Sequence, residues 1–125
     1  MAEFEGTIEV GYYTDLWGPY LFTFPINTSA TANDGLIPYG DTIASVTVKA
    51  YQGRVNRKST LSEETEIAGL IDTDFEPTII GGYKVSVKFE HPGSTYKGEK
   101  ATLIFEVTLA SGAKKAFYFQ YVRIR

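Results

Sequence analysis

The chain has no cysteine, one histidine, one methionine and one tryptophan among its 125 residues. Without cysteine there are no disulfides, zinc–thiolate sites, iron–sulfur clusters or thiol nucleophiles, and the redox compartment stays open. Nowhere do 18 uncharged apolar residues run together, so no helix long enough to cross a bilayer is expected. The opening Met1-Ala2-Glu3-Phe4-Glu5 is acidic and lacks the basic region and apolar run of a secretion signal. Those two absences predict a chain made and first folded in a cytoplasm. A strong charge of either sign is missing too, since 12 lysines and arginines against 15 aspartates and glutamates leave a formal charge of -3. A general nucleic-acid or acidic-membrane binder wants a basic surface, so neither nucleic acid nor membrane is an expected partner.

What is present is periodicity of two, the strand period. Residues 7–13, 20–26, 42–51, 83–90, 101–109 and 115–124 each alternate. Tyr83, Val85, Val87 and Phe89 stand against Lys84, Ser86, Lys88 and Glu90, and Leu103, Phe105, Val107 and Leu109 against Thr102, Ile104, Glu106 and Thr108. Asn33-Asp34-Gly35, Gly81-Gly82, His91-Pro92-Gly93 and Ser111-Gly112 supply turn chemistry between the runs. Ala110-Ser111-Gly112-Ala113 joins the last two runs directly, which predicts an antiparallel hairpin. Short strands with turns every ten residues or so predict an all-β sandwich or barrel. Helical signal is thin: Thr60-Leu61-Ser62-Glu63 fits a capping box, and residues 64–68 read as one helical turn or as a polar loop. A length of 125 residues suits one domain. The predicted organisation over 1–125 is a less regular, aromatic N-terminal part over residues 1–36 and a sandwich core over 37–125.

Catalytic and metal chemistry find little support. His91 sits in a His-Pro-Gly turn with no nucleophile-elbow sequence elsewhere, so it reads as a turn residue and no catalytic residue is assigned. Asp72, Asp74 and Glu76 place oxygens at i, i+2 and i+4, a weak calcium candidate without the glycine and terminal glutamate of an EF-hand loop. Asn27-Thr28-Ser29 matches the glycosylation sequon, a motif that arises often by chance. No cofactor is expected.

Surface features are more informative. Six aromatic residues fall within residues 11–24. Tyr12, Tyr13, Trp17 and Tyr20 are candidate anchors for a protein interface or stacking platforms for sugar rings, and filling the core is the third reading. Arg54, Arg57 and Lys58 form a basic loop that suits the charged rim of a protein contact. Residues 115–124 carry more large side chains than a one-faced strand needs. If the last two strands are not covered within the subunit, Ile104, Tyr118 and Val122 form an exposed apolar patch, which packing of a homo-oligomer would cover.

The second half carries a resemblance. Gly40-Asp41-Thr42-Ile43-Ala44-Ser45 resembles the "GDTI-x-S" strand opening of small immunoglobulin-like structural proteins from tailed bacteriophages and prophages. Tyr83-Lys84-Val85-Ser86-Val87 and residues 101–109 resemble their following strands. Ala110-Ser111-Gly112-Ala113-Lys114 is similar to their final hairpin turn, and residues 117–124 take the place of their last strand. The resemblance covers residues 37–125. Ala101-Thr102 departs from the aromatic entry of that strand, and residues 61–76 and the aromatic segment lie outside the pattern. It implies an immunoglobulin-like antiparallel β-sandwich with an aromatic N-terminal extension, and a non-enzymatic virion component (head decoration, neck, tail or fibre adaptor) assembled in the bacterial cytoplasm. Other virion proteins are then the expected partners. A carbohydrate- or host-surface-binding sandwich is the alternative that the aromatic segment supports.

Overall fold

The computed structural model describes residues 3–4, 8–10, 20–55, 64–67, 69–71, 76–89 and 100–124. Eight strands are present in them, and no helix. They are β1 (Glu3–Phe4), β2 (Ile8–Val10), β3 (Tyr20–Thr23), β4 (Ile43–Gln52), β5 (Thr78–Ile80), β6 (Lys84–Val87), β7 (Lys100–Leu109) and β8 (Lys114–Ile124). The larger sheet runs β1-β8-β7-β4, with β2 following β1 along β8, and the smaller sheet runs β3-β6-β5. β4, β7 and β8 are antiparallel, as are β3, β6 and β5, whereas β1 and β2 lie parallel to β8. The predicted all-β sandwich is what the chain forms.

Alternation explains the two layers. Val48 and Ala50 of β4, Leu103, Phe105, Val107 and Leu109 of β7, and Phe117 of β8 are buried from the larger sheet. Phe22, Val85 and Val87 meet them from the smaller sheet, joined by Phe24 and Phe89 just beyond its strands. The rings bridge the gap. Phe22 packs on Phe105 at 4.9 Å between centroids, and Phe24 packs on Phe105 at 5.3 Å and on Phe117 at 5.0 Å. Phe89 extends the series to Phe22 at 6.5 Å and to Tyr20 at 5.5 Å. Each such pair adds about 0.5–1.5 kcal/mol beyond the area it buries. Phe22 and Phe24 therefore use part of the aromatic segment as core, and the described residues before position 37 share one core with those after it.

Besides the two-residue β1, β5 and the 64–67 segment escaped the period-two pattern. β5 is only Thr78-Ile79-Ile80, too short to alternate visibly, and it is defined by pairing with β6. The segment at 64–67, read as a helical turn or a loop, is extended: the Gln52 N–H donates to the Thr65 carbonyl at 2.7 Å, the Ile67 N–H donates to the Ala50 carbonyl at 2.8 Å, and Glu66 bridges Tyr51. A one-residue slip between Ala101/Val122 and Leu103/Phe119 also interrupts the pairing of β7 with β8, a β-bulge that strict alternation over 115–124 does not anticipate.

The long connection over residues 25–37 closes on itself. Leu36 and Ile37 N–H groups donate to the Pro25 carbonyl at 2.6 and 3.0 Å, and the Asn27 N–H donates to the Ile37 carbonyl at 2.8 Å. The sequon residue Asn27 is engaged inside this loop, its Oδ1 accepting the Gly35 N–H at 2.7 Å. A Cβ on Gly35 would lie 2.5 Å from the Pro25 carbonyl oxygen and 2.9 Å from the Asn27 nitrogen, so only glycine fits there. Asp34 accepts from the Thr28 backbone N–H at 3.0 Å and from its hydroxyl at 2.7 Å, which holds the Asp34 carboxyl below its ordinary value.

Replacing Phe105 by alanine removes the ring that both Phe22 and Phe24 contact. The expected loss is about 3–5 kcal/mol in urea unfolding, whereas Leu21→Ala, on the exposed face of β3, is expected to change stability by under about 0.5 kcal/mol.

Candidate interaction surfaces

The outer face of the larger sheet is set by register. Cross-strand rows run Lys49–Ile104–Tyr118, Thr47–Glu106–Ala116 and Ser45–Thr108–Lys114. Ala116 is small beside Tyr118 and Lys114, so the middle row is depressed. An open groove of about 500 Å³ lies there, lined by Ser45, Thr47, Glu106 and Thr108 with Lys114 and Tyr118 at its sides. Its chemistry is hydroxyls, one carboxylate and the ammonium groups of Lys114 and Lys115, with Ile104, Val107 and Ala116 supplying apolar surface. That suits hydrogen bonding to a polar ligand or to the rim of a protein surface. A second, more polar cleft of about 430 Å³ separates the 25–37 loop from the start of β8, between Asn27, Asn33, Leu36, Pro38, Lys115 and Phe117.

The sequence left the covering of Ile104 and Tyr118 open, and the fold supplies it. After β4 the chain turns at Gly53, whose φ of 78° is left-handed, and Val55 comes to lie in a small second core with Tyr51, Ile104 and Tyr118. Thr102 pins this turn. Its hydroxyl donates to the Gly53 carbonyl at 2.8 Å and accepts the Val55 N–H at 3.0 Å, while the side chain is fully buried. Thr102 therefore stands where the resemblance expects an aromatic because the turn needs a donor and an acceptor in one short side chain. Ile104 at 1% and Tyr118 at 9% exposure are buried within the chain, so the condition for an exposed patch at these two is not met. The backbone of Val122 pairs with Ala101 in β8.

The remaining candidates are scattered. Tyr20 is half-buried against Phe89. Arg54 is exposed on the turn after Gly53. Tyr12, Tyr13, Trp17, Arg57, Lys58, Asp72, Asp74 and His91 lie outside the described residues, and Glu76 is exposed ahead of β5. Among the described residues no three histidine, cysteine or carboxylate side chains are grouped to hold a metal ion. Sequence reasoning did not single out Leu21, Tyr39 and Ile80, which are the large hydrophobic residues exposed among the described ones. Their only signal was an apolar residue at an outward strand position or in a turn.

One polar tie joins the two motifs that carry the resemblance. Asp41 accepts the Ser111 hydroxyl at 2.6 Å, the Ser111 N–H at 3.2 Å and the Thr42 N–H at 2.9 Å, and the Ala110 N–H donates to the Thr42 carbonyl at 2.8 Å. The start of β4 thus clamps the β7–β8 hairpin, whose Gly112 N–H donates to the Leu109 carbonyl at 2.8 Å. The Ser111 hydroxyl, above all, holds the Asp41 carboxyl below its ordinary value of 3.8. Comparison of the chain with protein-family models, with curated proteins and with solved structures finds no match.

Two measurements check these contacts. Thr102→Val keeps the volume but strands the Val55 N–H and the Gly53 carbonyl, and is expected to cost about 1–3 kcal/mol in denaturant unfolding; Thr102→Ser should retain most of the stability. A depressed folded-state pKa gives stability that is present above the unfolded value and lost as pH falls through the folded one. Wild type should therefore lose thermal stability below about pH 4, and Asp41→Asn should show a shallower decline over that range with a lower plateau above it.

Proposed function

We propose that the chain is a non-enzymatic, immunoglobulin-like structural subunit of a tailed phage or prophage virion, binding other virion proteins. The observation that carries the fold half of this reading is strand order. With β3 to β8 taken as strands B to G, the sheets read B-E-D and C-F-G, the constant-type immunoglobulin arrangement. The N-terminal strands sit beside G, parallel to it, rather than beside B. The virion half rests on the sequence resemblance, and the Asp41–Ser111 tie supports it by giving the GDTI and Ala-Ser-Gly-Ala motifs a shared physical purpose.

A sandwich whose core is cross-linked by aromatic rings presents rigid faces in many symmetric copies. Weak contacts suffice there, because multivalent attachment multiplies them. Arg54, Arg57 and Lys58 serve as the charged rim of such a contact and Tyr12, Tyr13, Trp17 and Tyr20 as its anchors.

The groove over Glu106 favours one second reading, a carbohydrate- or host-surface-binding module. Two experiments separate them. Particles purified from a producing culture should contain the chain in fixed stoichiometry with capsid or tail proteins by quantitative mass spectrometry; particles of full composition without it would sink the virion reading. Specific signals on a glycan array, abolished by Glu106→Ala, would favour the sugar-binding module.

A further inference from the structure

We infer that the flank of the sandwich formed by β4 and β5 is an interface with a second copy of this chain, closed by antiparallel pairing of β4 about Thr47. The larger sheet ends at β4 and the smaller sheet at β5, and these two edge strands touch each other on one flank. The direction of β4's free hydrogen-bonding groups follows from its neighbours. Ala50 and Gln52 turn their backbone groups away from β7, to Ile67 and Thr65. By strand alternation Val46 and Val48 aim theirs the same way. Among the described residues none pairs with Val46 or Val48 on that side.

Edge strands of monomers are normally blunted by charge, proline, bulges or a covering segment. Ser45-Val46-Thr47-Val48 and Thr78-Ile79-Ile80 contain neither charge nor proline, and Ile80 is 47% exposed. Among the described residues, the 65–67 segment covers β4 from Ala50 onward.

The exposed stretch is self-complementary in one orientation. Two-fold pairing about Thr47 sets the N–H and carbonyl of Val46 against those of Val48 of the partner subunit. Ser45 then faces Lys49 of the partner subunit, so each ammonium meets a hydroxyl rather than its own copy. The bulge at Ala44, where pairing slips between Ile43/Leu109 and Ser45/Thr108, bends the strand just before it would meet the partner's 65–67 segment. A two-fold axis normal to the sheets also turns the β5 edges toward each other, which adds Ile80 to the contact. The interface is small, so the dimer is reversible rather than permanent. It does not depend on the virion reading, since a dimer that joins no particle leaves it intact.

Sedimentation velocity over a concentration series tests it on the full chain. Wild type is expected to shift from 13.9 kDa toward twice that mass as concentration rises. Thr47 is exposed on the outer face opposite Glu106, so Thr47→Lys should keep the wild-type thermal unfolding, whereas Thr47→Glu should lower it slightly by like-charge repulsion within the subunit. Each sets like charges together at the axis, weakening the dimer by about tenfold or more. An equimolar mixture of the two should recover it. Wild type that stays monomeric at its highest soluble concentration, or variants that dimerise as wild type does, would overturn the interface. Should a variant unfold, amide exchange on wild type decides: protection at Val46 and Val48 that rises with concentration supports it, and unchanged protection refutes it.

Discussion

The fold depends on one packing arrangement, the series of aromatic rings that crosses the gap between the sheets. Neither sheet could bury its apolar face alone, and the smaller one is only three short strands. Phe22, Phe24 and Phe89 give that small sheet enough reach to engage Phe105 and Phe117 of the long strands opposite. Large rings also suit the roughly 10 Å spacing of face-packed sheets. Around this core Val85, Val87, Leu103, Val107 and Leu109 fill the remaining volume, all essentially inaccessible to water.

Three described surface segments are held by short polar side chains that satisfy backbone groups. Thr102 holds the Gly53–Val55 turn, which packs Val55 on Ile104 and Tyr118 of the larger sheet. Asp41 holds the β7–β8 hairpin at the opposite end of the sheet. Both are short polar side chains that bond to backbone groups of a turn. The 25–37 loop follows the same logic, with Asn27 and Asp34 organising it from within.

These ties leave one flank without a comparable device. The β1 and β2 strands lie along the edge of β8, and the 65–67 segment lies along one end of β4, but Val46, Thr47 and Val48 of β4 and the neighbouring β5 present β-branched, uncharged residues.

Much of this was legible in the alternation. The alternation of residues 42–51, 83–89 and 101–109 marks their core-facing positions directly, since a strand's side chains alternate whatever it pairs with, although Ser86, Thr102 and Ile104 of the opposite faces are buried as well. The Ala110-Ser111-Gly112-Ala113 hairpin was equally plain, because turn chemistry is local. The sequence by itself therefore determined the class of fold, the core faces of the long strands and the last turn. Tertiary structure alone decided the rest. Whether Ile104 and Tyr118 are covered depends on where Val55 lands, and β5 exists only because β6 offers it an edge. Asp41 finds Ser111 across 70 positions of chain. Such contacts carry no local period, and which backbone groups of β4 stay unpaired follows from sheet order, which is a property of the assembled layers.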